Sequence, residues 1–85
     1  MRLVLFSSRL HSLQEKIHEL KTTLQSKQEF SYVLETYDLN SFEGMLKAVR
    51  LNVFSSVEAF LFDEHNRVVK HFTEMVPSAE DLVYS

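Results

Sequence analysis

The 85 residues, 45% of them hydrophobic and 25% charged, are typical of one small globular domain. The net charge of -3 and the scattering of the nine basic residues argue against a nucleic-acid-binding surface. The sequence contains no cysteine, which excludes a disulfide, a thiolate nucleophile and a thiolate metal site. No apolar run approaches the ~20 residues that span a membrane, and MRLVLF is too short for a signal peptide, so we expect a cytoplasmic protein without a membrane partner.

The first part of the chain predicts a strand followed by a helix. The apolar run Arg2–Phe6 indicates a short buried strand. Ser12 and Glu15 have the spacing of a capping box at the start of the helix, while Ser7 or Ser8 could cap a slightly longer one. Apolar residues at spacings of three and four then form one helical face: Leu10, Leu13, Ile17, Leu20 and Leu24.

The middle of the chain predicts a second strand and a second helix. Glu29–Tyr37 is rich in aromatic and β-branched residues and indicates a strand, although its spacing also permits a helix. Asn40 and Glu43, three residues apart, predict the N-terminus of the following helix. Gly44 inside that helix costs about 1 kcal/mol relative to alanine, and the sequence offers no reason for it. The apolar face of the helix comprises Phe42, Met45, Leu46, Val49 and Val53.

The following segment is ambiguous between a hairpin and a helix. A hairpin would consist of strands Val57–Phe62 and Arg67–Thr73 around the turn Asp63–Asn66, with Asn66 in the left-handed conformation. A helix would align its apolar residues at spacings of three and four: Phe54, Val57, Leu61, His65, Val68, Phe72 and Met75. We favour the hairpin, because the helix would place His65 in the apolar stripe and five consecutive polar residues in its middle.

The end of the chain predicts a short final helix. Pro77 and Ser78, with Asp81 three residues after the serine, form a helix start signal. The apolar end Leu82–Tyr84 hints at association with another chain.

The predicted order of strand, helix, strand, helix, strand, strand and helix resembles the minimal thioredoxin and glutaredoxin fold, over about Arg2 to Tyr84. LVLFSS is similar to the family's first strand and the bend before its active-site helix. ETYDLNSFEGMLKAVRLNV looks like the second strand and helix, and SSVEAFLFDEHNRVVKHFTEMVPSAEDL looks like the terminal hairpin and the start of the last helix. The resemblance implies one α/β domain over residues 1–85 with a four-stranded mixed sheet. The alternative is a small all-α helical bundle.

The diagnostic motifs of that family are absent. His11-Ser12-Leu13-Gln14 stands where the family has Cys-x-x-Cys, Val57 stands at the cis-proline, and Glu74 stands close to a usual glycine. Dithiol exchange is therefore excluded, and Ser12 cannot replace the thiolate because a hydroxyl has no redox couple. We expect no cofactor, since glutathione-type binding normally relies on the cis-proline.

The resemblance implies a redox-inactive protein-binding module that acts as an adaptor, assembly chaperone or regulator. Its partner would be another protein or a second copy of the chain. The alternative is a small all-α protein that dimerises through the Leu10–Leu24 face. The family's substrate groove, carried over to this sequence, comprises Leu10, His11, Ser12, Ser55, Ser56, Val57, Glu74 and Met75.

No metal site or catalytic constellation is evident in the sequence. His11 and His18 share a helix face but stand two turns apart, roughly 10 Å by helix rise, which is too far to bind one ion. His65 and His71 have no carboxylate clearly placed beside them for a shared site. We therefore expect a protein that is not an enzyme.

Overall fold

The computed structural model describes residues 1–26 and 32–83, which form four strands, three α-helices and one 3-10 turn. A short 3-10 turn, His11–Leu13, precedes the first α-helix. The elements are β1 Arg2–Ser7, α1 Gln14–Ser26, β2 Val33–Asp38, α2 Phe42–Arg50, β3 Val57–Phe62, β4 Val68–Thr73 and α3 Ala79–Val83. The protein is therefore α/β, and the all-α alternative is wrong.

The four strands form one mixed sheet in the order β2-β1-β3-β4. Strand β1 runs parallel to β2, with Arg2 opposite Val33 and Ser7 opposite Asp38. It runs antiparallel to β3, which in turn is antiparallel to β4. The predicted four-stranded mixed sheet is thus confirmed. Strands β1 and β3 occupy the centre, which explains why both are buried on both faces.

Two apolar layers pack on opposite faces of the sheet. The layer under α1 and α3 comprises Leu3, Leu5, Leu20, Leu24, Val57, Ala59, Leu61 and Leu82. The layer under α2 comprises Val4, Phe6, Ala48, Phe60 and Phe62. Odd and even positions of β1 and β3 separate cleanly between the two layers, as the two-residue period of a strand requires.

The apolar face of α1 packs inside the chain. Leu20 and Leu24 are buried in the first layer, and Leu13 and Ile17 pack against it. Leu20 and Leu24 are therefore core residues, and the all-α form of the Leu10–Leu24 dimer is wrong because the chain is α/β.

The predicted capping box at the start of α1 is also wrong. The hydroxyl of Ser12 donates to the carbonyl of Arg9 at 2.9 Å instead of accepting from the helix. The amide of Ser12 donates to the same carbonyl at 3.1 Å. These bonds belong to the 3-10 turn, which delays the start of α1 to Gln14.

The second strand begins later than predicted. Strand β2 covers Val33–Asp38, and the start of the predicted strand at residues 29–31 lies outside the described residues.

The hairpin prediction is confirmed. Asn66 has a φ of 60°, the left-handed conformation predicted for it. The carboxylate of Asp63 accepts from the amides of His65 at 2.8 Å and Arg67 at 3.0 Å, which closes the turn. Strand β4 begins at Val68, one residue later than predicted.

Helix α2 begins one residue later than the Asn40 signal predicts. The hydroxyl of Ser41 accepts from the amide of Gly44 at 3.0 Å, so Ser41 is the N-cap. Asn40 instead donates its side-chain amide to the carbonyl of Ser8 at 3.0 Å. It thereby ties the start of α2 to the end of β1.

The structure supplies the reason for Gly44. A Cβ at this position would lie 1.9 Å from the carbonyl oxygen of Asp38 and 2.9 Å from the hydroxyl of Ser41. Only glycine lets the first turn of α2 approach the end of β2 so closely. The close packing that glycine allows here therefore offsets its low helix propensity.

The apolar face of α2 does not pack on the core, as an apolar helix face ordinarily does. The helix turns its small residues, Gly44 and Ala48, to the sheet. Val53 packs against the second layer from beyond the helix end. The other four residues of the predicted face are exposed: Phe42, Met45, Leu46 and Val49.

The final helix forms as predicted. The hydroxyl of Ser78 accepts from the amide of Asp81 at 3.2 Å, and the carboxylate of Asp81 accepts from the amide of Ser78 at 2.9 Å. Leu82 is buried in the first layer, so it is not part of an exposed apolar end. Tyr84, which belongs to the same prediction, lies outside the described residues.

We predict that Gly44→Ala destabilises the protein although alanine favours helices. The new Cβ meets backbone that cannot yield without moving β2, and such overpacking costs about 1–3 kcal/mol. Chemical denaturation measures the loss. Val49→Ala, on the exposed side of the same helix, is the control and should change stability by no more than ~0.5 kcal/mol. Equal stability of Gly44→Ala and the parent would contradict the close approach.

Candidate functional site

Three segments of the chain meet at one end of the sheet. The amide of Ser8, after β1, donates to the carbonyl of Ser56, before β3, at 3.0 Å. The amide of Glu74, after β4, donates to the carbonyl of Val57 at 2.7 Å. We call this surface the sheet end and define it as residues 8–12, 54–57 and 74–75. These bonds join Val57 to Glu74, both predicted for partner binding, and tie Ser56 to the residue that comes shortly before Leu10, His11 and Ser12.

The side chains predicted for partner binding differ in accessibility. Leu10 and Ser55 are half-buried, and Val57, at 3% exposed, belongs to the first apolar layer. The side chain of Val57 is thus a core side chain and cannot contact a partner. The remaining members are exposed: His11, Ser12, Ser56, Glu74 and Met75.

The backbone of the sheet end is regular at Val57 and unusual at Glu74. No cis peptide bond occurs among the described residues, so the bond before Val57 is trans. Val57 pairs with Ser7 in the sheet ladder. Glu74 has a φ of 58°, in the left-handed region that favours glycine. The chain bends at this residue, directly after β4.

A buried carboxylate organises the loop before β3. Glu58 is 3% exposed, and its Oε1 accepts from the amides of Phe54 and Ser55, both at 3.0 Å. Its Oε2 lies 2.9 Å from Nε2 of His71. Because an ionised carboxylate only accepts hydrogen bonds, Nε2 of His71 carries the proton in this contact.

The imidazole of His71 contacts the ring of Phe60 as well as the carboxylate of Glu58. It stacks on Phe60 with a centroid distance of 4.3 Å and an interplanar angle of 11°. Phe60 in turn meets Phe6 edge-on at 6.1 Å, inside the second apolar layer. The donor to Glu58 is therefore positioned by the core itself.

Two opposing effects set the protonation of Glu58. Burial opposes ionisation, but the hydrogen bonds from His71, Phe54 and Ser55 outweigh it and hold the pKa of Glu58 below its ordinary value of 4.5. The carboxylate is therefore charged at neutral pH, with its charge compensated by donors.

The arrangement is structural in character. In a hydrolytic triad an imidazole stands between the carboxylate and the hydroxyl and takes the proton of the hydroxyl. Here Glu58 accepts from Nε2 of His71 and from the backbone amide of Ser55, so the imidazole does not stand between the carboxylate and a hydroxyl. Neither group is placed to activate the other.

The other histidines lie apart. His11, His18 and His65 are exposed. Within residues 1–26 and 32–83, no three histidine, aspartate or glutamate side chains are close enough to hold a metal ion together. Over the same ranges, no helix combines the length and apolar character needed to cross a bilayer.

The loop that Glu58 holds presents a phenylalanine to solvent. Phe54 is 90% exposed while its own amide is bound by Glu58. Sequence reasoning assigned Phe54 to the rejected helical stripe and gave no role to Glu58. The available signal was a single charge in the apolar strand VEAFLF, since a charge at that position needs partners inside the fold.

No protein-family model matches the chain, and no curated protein or solved structure is similar to it by the same comparisons.

We predict that stability declines when Glu58 is protonated. A carboxylate with a lowered folded pKa contributes stability that is complete above its unfolded pKa and is lost as pH falls through the folded value. The free energy of unfolding, measured between pH 7 and pH 3, should therefore begin to decrease once the pH is lowered past about 4.5. Glu58→Gln should remove part of this decline.

Glu58→Ala is the harsher variant. It leaves two backbone amides without an acceptor, each worth about 1–3 kcal/mol. Glu64→Ala, in the exposed hairpin turn, is the matched control and should be nearly neutral. Similar pH profiles for the parent and Glu58→Gln would contradict a structural role for the charge.

Proposed function

We propose that the protein is a redox-inactive, thioredoxin-like protein-binding module, acting as an adaptor, assembly chaperone or regulator. The observation that carries the proposal is Phe54, a large apolar side chain that is 90% exposed on a backbone fixed by Glu58. Exposed aromatic side chains on ordered backbone are the usual anchors of protein interfaces.

Pre-organisation strengthens the argument for binding. A loop that is already ordered loses little conformational entropy when a partner docks on it. The amides of Phe54 and Ser55 are both fixed by Glu58, and the carbonyl of Ser56 is fixed by Ser8. Met75, 42% exposed, adds a second apolar side chain to the sheet end.

The thioredoxin-like part of the proposal is supported by the order of the elements. Strand, helix, strand, helix, strand, strand and helix follow one another as the resemblance implies. Glu74, which stands close to a usual glycine of the family, has the positive φ that a glycine adopts readily. Val57 has the position of the cis-proline without its geometry.

The chemistry of the sheet end favours binding over catalysis. The sequence has no cysteine, so the helix start that holds a thiolate in the family carries His11 and Ser12, with the charged side chain of Arg9 nearby in the sequence. The buried carboxylate of Glu58 already accepts from three donors. A partner would therefore be held by apolar contact with Phe54 and Met75 and by hydrogen bonds at the polar rim.

Capture of binding partners tests this function. We expect Phe54→Ala to reduce recovery of the principal partner at least tenfold, since anchor residues contribute about 2 kcal/mol or more. The measurement is quantitative mass spectrometry after cross-linking in cells that express the tagged chain. Leu10→Asp and Met75→Asp should weaken capture as well.

The control is Val33→Ala, because Val33 is 56% exposed and pairs with Arg2 at the opposite end of the sheet. It should leave capture unchanged. Melting temperatures of Phe54→Ala and Met75→Asp should stay close to that of the parent, because both side chains are exposed. Unaltered capture by folded Phe54→Ala and Met75→Asp would overturn the assignment to the sheet end.

A further inference from the structure

Helix α2 carries an apolar stripe that nothing in the described structure covers. Its four large apolar side chains recur at helical spacing along 9 residues. Their exposed fractions are 78% for Phe42, 54% for Met45, 48% for Leu46 and 74% for Val49. Contiguous apolar surface of this kind marks a contact site.

The fold forces this stripe outward. Gly44 and Ala48 face the sheet, and a Cβ on Gly44 would already collide with the carbonyl of Asp38. The helix cannot rotate to bury its larger residues without placing side chains where only hydrogen atoms fit. The exposure is therefore built into the packing of α2.

Two opposite charges flank the stripe on one side. Glu43 and Arg50 stand seven residues apart, which places them on the same side of the helix near its two ends. Arg50 is exposed and has no ion-pair partner among the described residues. Glu43 is only loosely engaged, at 3.9 Å from Lys47. Lys47 itself donates to the hydroxyl of Tyr37 at 2.7 Å and is drawn toward the sheet.

We propose that the stripe is the interface of a two-fold symmetric dimer in which the α2 helices of two copies pack antiparallel. The two-fold axis passes near Leu46. Each Glu43 then lies opposite Arg50 of the second copy, so that two ion pairs close the interface.

The positions of Glu43 and Arg50 favour an antiparallel arrangement of the two helices and a second copy of the chain as the partner. In a parallel pairing, Glu43 would stand at the same height as Glu43 of the second copy, and Arg50 at the same height as Arg50 of the second copy. The ion pairs would then be lost. In the antiparallel pairing, each charge meets an opposite charge of the second copy. Both copies use the same surface, as a two-fold interface requires. It also sets the two helix dipoles in opposite directions.

The size of the stripe sets the strength of the dimer. A helix of 9 residues is about 14 Å long, and its pairing buries less than the ~800 Å² per partner of a stable complex. The dimer should therefore be weak and concentration-dependent. Its surface is separate from Phe54 and Met75, so the inference goes beyond the proposed binding at the sheet end.

Charge exchange between two variants tests the proposal. Sedimentation equilibrium from micromolar to millimolar concentration should show the parent shifting from 10.0 kDa toward twice that mass. Glu43→Arg alone and Arg50→Glu alone each place like charges opposite one another. Each should therefore need about tenfold more protein to dimerise.

An equimolar mixture of the two single variants restores opposite charges in the mixed dimer only. It should dimerise about as well as the parent, and a loss of helix stability in one variant could not be repaired in this way. Val49→Asp should stay monomeric with an unchanged melting temperature at low concentration. A parent that remains monomeric at millimolar concentration would overturn the proposal, as would a mixture that dimerises no better than its components.

Discussion

A carboxylate inside a sheet is stable only where donors compensate its charge, and the sheet end is built around that constraint. Glu58 meets it with two amides of the preceding loop and with His71 from the neighbouring strand. The loop before β3 is therefore tied to the sheet by a side chain of β3 itself. Because His71 is stacked on Phe60, the same contact joins the polar loop to the second apolar layer. Order at the sheet end follows from packing in the core.

Close packing at Gly44 has the opposite consequence for α2. The helix approaches the end of β2 so closely that only small side chains fit between them, and its large apolar side chains face outward. One end of the sheet thus presents the exposed aromatic ring of Phe54, while the α2 side presents a continuous apolar stripe. The two surfaces differ in character: Phe54 is suited to insertion into a partner's pocket, and the stripe is suited to a helix of matching shape and charge.

The sequence predicted the elements better than it predicted the orientation of their side chains. Periodicity located β1, α1 and the hairpin, because burial on a sheet face requires those patterns. The same reasoning grouped the large apolar residues of α2 on one side of the helix. It could not show that the close approach at Gly44 turns this side away from the core. The contact residues at the sheet end come from the family resemblance and stay a prediction, whereas Glu58 and Phe54 were missed. Their roles depend on contacts between β3, β4 and a loop, which no local pattern reveals. Val57 was included as a contact residue although strand alternation places it in the core.

Hydrogen exchange at the amides of Phe54 and Ser55 tests the central claim most directly, because both bonds end on Glu58. The measurement is NMR-detected exchange at neutral pH in the parent and in Glu58→Ala, with the amide of Val53 as an internal reference, since it donates to the carbonyl of Ala48 instead. The account predicts that both loop amides are protected in the parent and exchange at least tenfold faster in the variant, while Val53 is unchanged. Loop amides that exchange in the parent as fast as in an unstructured chain would contradict it.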